Sequence, residues 1–437
     1  MRTKEYILDL TDTALHSVQA DQLEVGIYNH EMGVTRFANS IIHQNIVKEG
    51  DDFWARVIIG KKIGGTSIGS LSKDRVIAGM RSAAELAKYQ KEDMNFQSLP
   101  KAKPIEQTEE IFPIEPAERA SCVEKMVKCA NKYNLTAAGA IYTTHTLLGI
   151  ANSLGIRSIG RGEMSRAEIT VMSDDSSGLA HQTAKHFRDI DPELLAETAC
   201  EKALMSKKPI EIEPGKYTVL LEPRAVAEFI AFLSYIGFGA RSYLEGTSFM
   251  AGKIGKKITG DNITIVDDAY HPNTTGFRFD YEGMPTEKVM LIEQGIAKNV
   301  CYDSYYANKE GKKSTGHAMP QPNSYGPYPR NIILMPGNNT KEEMLSAISD
   351  GILVTRFWYT RLVDPDKTLI TGMTRDGTFR VKDGKIAAGI KNMRYTANIL
   401  ETLGNVIMGE KELKLIGNTL VPALLIKDFN FSGKTGY

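Results

Sequence analysis

The sequence points to an α+β chain of two domains, mostly antiparallel sheets with packed helices. Three observations lead there. Strand patterns punctuated by glycine fill residues 23–70 and much of the second half. Two Asp-Gly dipeptides, Asp376–Gly377 and Asp383–Gly384, read as hairpin turns. The chain has 437 residues, more than one ordinary core organises.

The first element is an amphipathic helix with Ile7, Leu10 and Leu15 on its apolar face. Residues 23–40 read as a hairpin turning at Glu31–Gly33, and residues 43–70 as two or three further strands. Val76, Met80, Ala83 and Ala87 set a helix over Asp74–Tyr89. The proline-rich, acidic stretch 97–116 is a surface connection, followed by a helix over Ala117–Tyr133. Strands return at 137–158 and 167–173, and a helix runs from Pro192 to Leu204. "SKKPIEIEPGKYTV" (206–219) changes the rhythm, which divides the chain into domains 1–210 and 211–437.

In the second domain "NITIVDD" (262–268) is a buried-type strand ending in two acids. Residues 288–303 form a hairpin turning at Gln294–Gly295, with Cys301 on a strand. Helices are expected over Lys341–Ser349 and Thr396–Leu403, and the last strand over Ala423–Phe429.

Composition excludes several classes. Lys+Arg and Asp+Glu are equal at 53 each, so nothing in the charge favours nucleic acid or an anionic membrane. The basic loop "GKIGKKITG" (252–260) reads as a solvated turn. No run approaches the ~20 apolar residues of a membrane span. "MRTKEYILDLTDTALHSV" lacks the apolar core of a signal peptide. Four cysteines without CxxC suit the cytoplasm, and Cys122 and Cys129 share a helix face as packed thiols.

"TSFM", "ITIVDD", "RFDYEGMPTEKVMLIEQGIAKN" and "STGHA" occur in that order between Thr247 and Ala318. With "FANSIIHQN" (37–45) and "IANSLGI" (150–156), this series resembles the TldD/PmbA family, described as metallopeptidase-related and, historically, as modulators of DNA gyrase. The resemblance implies two branches. In the TldD branch a helix carries HExxxH and a late cysteine completes a metal site, with histidines on neighbouring turns and a glutamate as general base. In the PmbA or TldE branch those ligands are absent, and the chain pairs with a TldD-like subunit to degrade unfolded peptides. Here the corresponding helix, "PRAVAEFIAFLSYIG" from Pro223, has no histidine, and the last cysteine is Cys301, far from "GNTLVPALLI" (417–426). The resemblance therefore implies a PmbA/TldE-like subunit without its own metal, with zinc in an HExxxH-bearing partner, or else a homodimer. The alternatives are a homomeric peptidase with an unusual site and a topoisomerase-modulating binding protein.

Candidate catalytic groups are weak. Glu228 is the helix's interior charge, and a solvated or paired residue explains it better than a remnant base. Cys301 and His317 are a conceivable nucleophile and base, though a packed thiol suits Cys301 better. His317, with Thr315 and Gly316 in a Ser/Gly/Pro loop, is the candidate for substrate contact. Asp267, Asp268, Asp280 and Glu282 form an acidic set without a metal-loop spacing, better explained as turn capping. Tyr325, Tyr328 and Arg330 read as a rigid loop and not a base-stacking site.

Overall fold

The structure, a computed structural model, describes residues 1–107 and 110–435. Its N-terminal part runs α1 (Lys4–Leu15), β1 (Gln22–Ala38), β2 (Ile41–Ile59), β3 (Lys62–Ile68), α2 (Lys73–Tyr89), β4 (Glu106–Gln107), α3 (Pro116–Lys132), β5 (Thr136–Asn152), β6 (Arg157–Met172), β7 (Ser177–Ala184) and α4 (Pro192–Met205). The strands form one sheet in the order β3-β2-β1-β5-β6-β4, with β7 on β6. Strand alternation decides its faces. Leu23, Val25 and Ile27 of β1 pack with α1 and α2. Phe37, on the same face, packs with α3 and α4. All four helices therefore cover one face.

The turn expected at Glu31–Gly33 is not there. β1 runs straight through, with Glu31 opposite Glu49 on one side and His145 on the other. The chain turns instead at Asn39 and Ser40, both in the left-handed region. Gly33 marks a close approach, since a Cβ there would lie 2.4 Å from Arg119 Nη1.

The C-terminal part runs β8 (Gly215–Leu221), α5 (Pro223–Gly237), α6 (Ala240–Leu244), β9 (Ile265–Asp267), β10 (Val289–Glu293), β11 (Ile296–Ala297), α7 (Ser304–Lys309), β12 (Ile332–Leu334), α8 (Lys341–Ser346), β13 (Asp350–Asp364), β14 (Leu369–Lys382), β15 (Lys385–Gly389), β16 (Met393–Asn398), α9 (Ile399–Gly404), β17 (Val406–Gly409), β18 (Lys414–Ile416), β19 (Thr419–Val421) and β20 (Leu424–Lys434). Two sheets result, β11-β10-β9-β12-β19-β18 and β13-β8-β20-β16-β14-β15, the second also carrying β17 on β20. α5 fills the space between them with Val226, Phe229, Ile230 and Leu233. Phe229 stacks on Phe357 at a centroid distance of 5.5 Å.

Of the two Asp-Gly pairs, Asp383–Gly384 turns β14 into β15 as expected. Asp376–Gly377 does not turn the chain. It lies inside β14, where Val354 faces Thr378 and Arg356 faces Arg375, so the pair is a bulge opposite Thr355. Left-handed backbone at Asp376 (φ 53°) is what both a hairpin turn and a bulge require, which is why the dipeptide misleads.

The uncovered face of the N-terminal sheet meets the "DYEGMP" stretch. Tyr28, Trp54, Leu148 and Ile150 pack against Phe279 and Met284. Beside them Arg56 donates to Glu24 at 2.7 Å and to Glu282 at 2.8 Å, all three buried. One guanidinium between two carboxylates leaves a charge deficit, and burial pushes Glu24 up to about 7, with Arg56 opposing and Glu282 adding to the rise.

Candidate functional site

A cavity of about 680 Å³ opens between the two halves. One wall is β7, backed by α4; the other is the start of α5 with β18, Leu420 and Ala423. Among the described residues β7 pairs only with β6 and β18 only with β19, so each brings a strand edge unpaired there to the cavity. The edges meet at one end, where the Gly417 N–H reaches Thr183 Oγ1 at 3.4 Å. Gly178 lets β7 lie directly on α4: a Cβ there would stand 2.2 Å from the Ala199 carbonyl oxygen and 2.4 Å from Ala203 N. That contact holds Lys202, in the last turn of α4, at the cavity.

Glu222 sits where β8 ends and Pro223 opens α5. Its Oε2 accepts from Lys202 Nζ at 2.5 Å and its Oε1 from Lys341 Nζ at 2.6 Å. Burial alone would raise this carboxyl, but the two ammonium groups outweigh it and hold it down at about 2. His181, on β7, is pushed down to about 3 by burial and by the guanidiniums of Arg224 and Arg166, so its ring is neutral at physiological pH. Its Nδ1 is buried without a hydrogen-bond partner. Thr355, 1% exposed, also lines the cavity, and its hydroxyl is likewise unpartnered. The bulge opposite it aims Asp376 at Arg356 and at Ser177, whose hydroxyl donates to Asp376 Oδ1 at 2.8 Å. This bond ties β7 to the C-terminal half.

The residues singled out in the sequence lie elsewhere. His317 is fully buried, its Nε2 3.0 Å from Asp267 Oδ1 and its Nδ1 2.9 Å from Thr315 Oγ1. The ring is a core tie, neither a solvated loop residue nor a cavity wall. Gly316, at φ 72°, packs against Pro285. Cys301 makes an isolated bridge with Gly239 and is not on a strand. Its thiol is fully buried, and burial together with the Asp267 charge pushes it well above its ordinary range. Both His317 nitrogens are engaged, so the ring has none left to activate it. Glu228 is half-buried; burial raises its carboxyl, with Thr360 and the Arg224 and Arg356 guanidiniums opposing.

The acidic set ties loops. Asp267 Oδ2 accepts the Arg330 and Asn331 N–H groups, both at 2.7 Å. Asp280 accepts N–H groups from Glu282, Met284 and Ala318, each at 2.9 Å. Asp268 accepts the Tyr270 N–H at 2.9 Å. Sequence reasoning missed His181, Lys202, Glu222 and Lys341. No local signal joins residues so far apart, and β7 itself was not foreseen.

α5 and residues 417–426 do not offer the HExxxH histidines and late cysteine of the TldD-branch pattern. α5 turns Val226, Phe229, Ile230 and Leu233 into the core and carries no histidine. Residues 417–426 contain no cysteine. Among the described residues no three His, Cys, Asp or Glu side chains come together to hold a metal.

Comparison with known proteins agrees with the motif series. The sequence signature of the PmbA/TldA metallopeptidase C-terminal domain matches residues 214–433, about half of the chain. The chain belongs to the PmbA/TldD family. It is similar to a metalloprotease of Methanothermobacter thermautotrophicus, 28% identical over 222 residues, which are 49% of this chain and 47% of that protein. The chain thus spans about half the length of this curated relative. The metalloprotease PmbA homolog of Buchnera aphidicola is 24% identical over 332 residues, 74% of this chain and 71% of that one. The crystal structure of TldE from Thermococcus kodakarensis superposes with a TM-score of 0.87 at 22% identity, covering 98% of this chain and all of that one. This PmbA/TldD chain therefore has the TldE fold.

Proposed function

We propose that this chain is the PmbA/TldE-like subunit of a peptidase assembly that degrades unfolded peptides, and that it works there without a metal of its own. One observation carries the reading. The two free strand edges that line the cavity, β7 and β18, suit an extended chain, which gains main-chain hydrogen bonds from an edge whatever its sequence. About 680 Å³ suits a short extended segment and not a folded domain. The neutral His181 ring and the Thr355 hydroxyl offer further polar contact without adding charge.

Hydrolysis is assigned to a TldD-like, HExxxH-bearing partner that carries the zinc. The family membership and the apolar inner face of α5 support this division of labour. No described helix is long and apolar enough to cross a membrane.

The test is reconstitution. The purified chain, alone and mixed with an HExxxH-bearing relative, is assayed for metal content and for degradation of an unfolded peptide. We expect zinc and turnover only in the mixture. One tightly held zinc per chain, or turnover by this chain alone, would sink the proposal in favour of a homomeric peptidase.

A further inference from the structure

We propose that Lys202 and Lys341, held together by Glu222, receive the C-terminal carboxylate of the peptide in this cavity. The proposal rests on the peptide-binding reading above and adds polarity to it.

The argument begins with position. The Gly417–Thr183 contact lies near the C-terminal end of β7. Along β7 in the other direction lies Gly178, the residue that packs against Lys202. Glu222 and Lys341 stand with Lys202 on that side. An extended chain laid along the β7 edge therefore runs into the triad.

Charge comes next. Two other basic groups at the cavity, Arg224 and Lys414, have carboxylates of their own. Arg224 lies 3.6 Å from Glu168, and Lys414 lies 2.5 Å from Glu412. Lys202 and Lys341 share one carboxylate, which leaves the triad with one net positive charge. Each ammonium has three N–H donors, and Glu222 takes one from each. Glu410 also lies near Lys341 and adds to the hold on its ammonium; its Oε2 accepts the Ala423 N–H at 3.2 Å, and burial raises its carboxyl. The Lys202 side chain is only 11% exposed, so an incoming carboxylate is read in a poorly screened environment.

The experiment uses the purified full chain and one unfolded peptide labelled at its N-terminus, as free acid and as C-terminal amide. Binding is followed by fluorescence anisotropy. We expect amidation to weaken binding roughly tenfold or more, as loss of a charge-assisted contact does. In Lys341→Met, checked for folding by circular dichroism, the two peptides should bind alike; Lys341→Arg should keep the difference. Equal binding of acid and amide by the native chain overturns the proposal, and so does a gap that survives in folded Lys341→Met. If Lys341→Met fails to fold, Lys202→Met takes its place and the native comparison still decides. An amidated peptide ending in Asp that regains full affinity shows a side-chain carboxylate being read, which overturns the assignment to the terminus. Failure of every peptide to bind overturns the peptide-binding reading itself.

Discussion

Glu222 is the residue on which the cavity turns. A buried carboxylate between two ammonium groups adds little net stability, yet its removal strands two charges. Glu222→Gln should therefore cost about 3 kcal/mol, read as a lowered urea midpoint at constant slope. A variant as stable as the native chain would mean that water solvates both lysines freely. Cys301 offers the opposite case. With its thiol fully buried and its ionisation suppressed, it should resist thiol reagents until the chain unfolds. Cys301→Ser should leave peptide degradation by a reconstituted pair nearly intact. Collapse of turnover with assembly preserved would make the thiol a nucleophile after all. Both residues were in plain view in the sequence. The role of Cys301 as a packed thiol was legible from its apolar neighbours, whereas that of Glu222 depends on lysines 20 and 119 residues away.

At the level of elements, β7 and the β14 bulge position the cavity, and neither was legible. β7 is short, mixes apolar with polar residues, and reads as neither core strand nor helix. Its place is fixed by α4 through Gly178. Gly178→Ala must separate strand from helix, at a cost of about 1–3 kcal/mol, and should weaken peptide binding more than a surface change of equal destabilisation. Unchanged stability and binding would show that α4 moves aside freely. The long helices were legible, because Val76, Met80, Ala83 and Ala87 keep one apolar face through α2, and all four are buried. The bulge escaped because Asp-Gly supplies the backbone of a turn, and only the partner strand β13 shows that the chain goes on.

Across the whole molecule the joint between the halves carries a buried ionic cluster beside its apolar contacts, and it has a pH dependence of its own. Glu24 titrates at about 7 in the folded chain against 4.5 as its ordinary value. The folded state thus holds a proton that the unfolded state has lost. Stability from this site is greatest below pH 4.5 and falls as pH rises to about 7. The span corresponds to on the order of 3 kcal/mol. His181, lowered to about 3, runs the other way: folding strengthens as pH rises from about 3 to 6.5. The two partly cancel in the native chain, so the comparison must be with Glu24→Gln. The variant should match the native chain at pH 3.5, below both Glu24 values, and exceed it in thermal midpoint at pH 8.5. Equal loss at both values would assign Glu24 a fixed charge. The acids of "DYEGMP" stand in the motif series that marks the family, and their structural work is to close this joint and tie its loops.

The facing edges of β7 and β18 carry a last consequence, for solubility. Unpaired edges are where soluble proteins polymerise, sheet adding to sheet. Here the two edges line one recess and face each other across it, not outward. If the recess takes an extended peptide as proposed, the same hydrogen-bonding groups that bind it are those withheld from the protein's own copies.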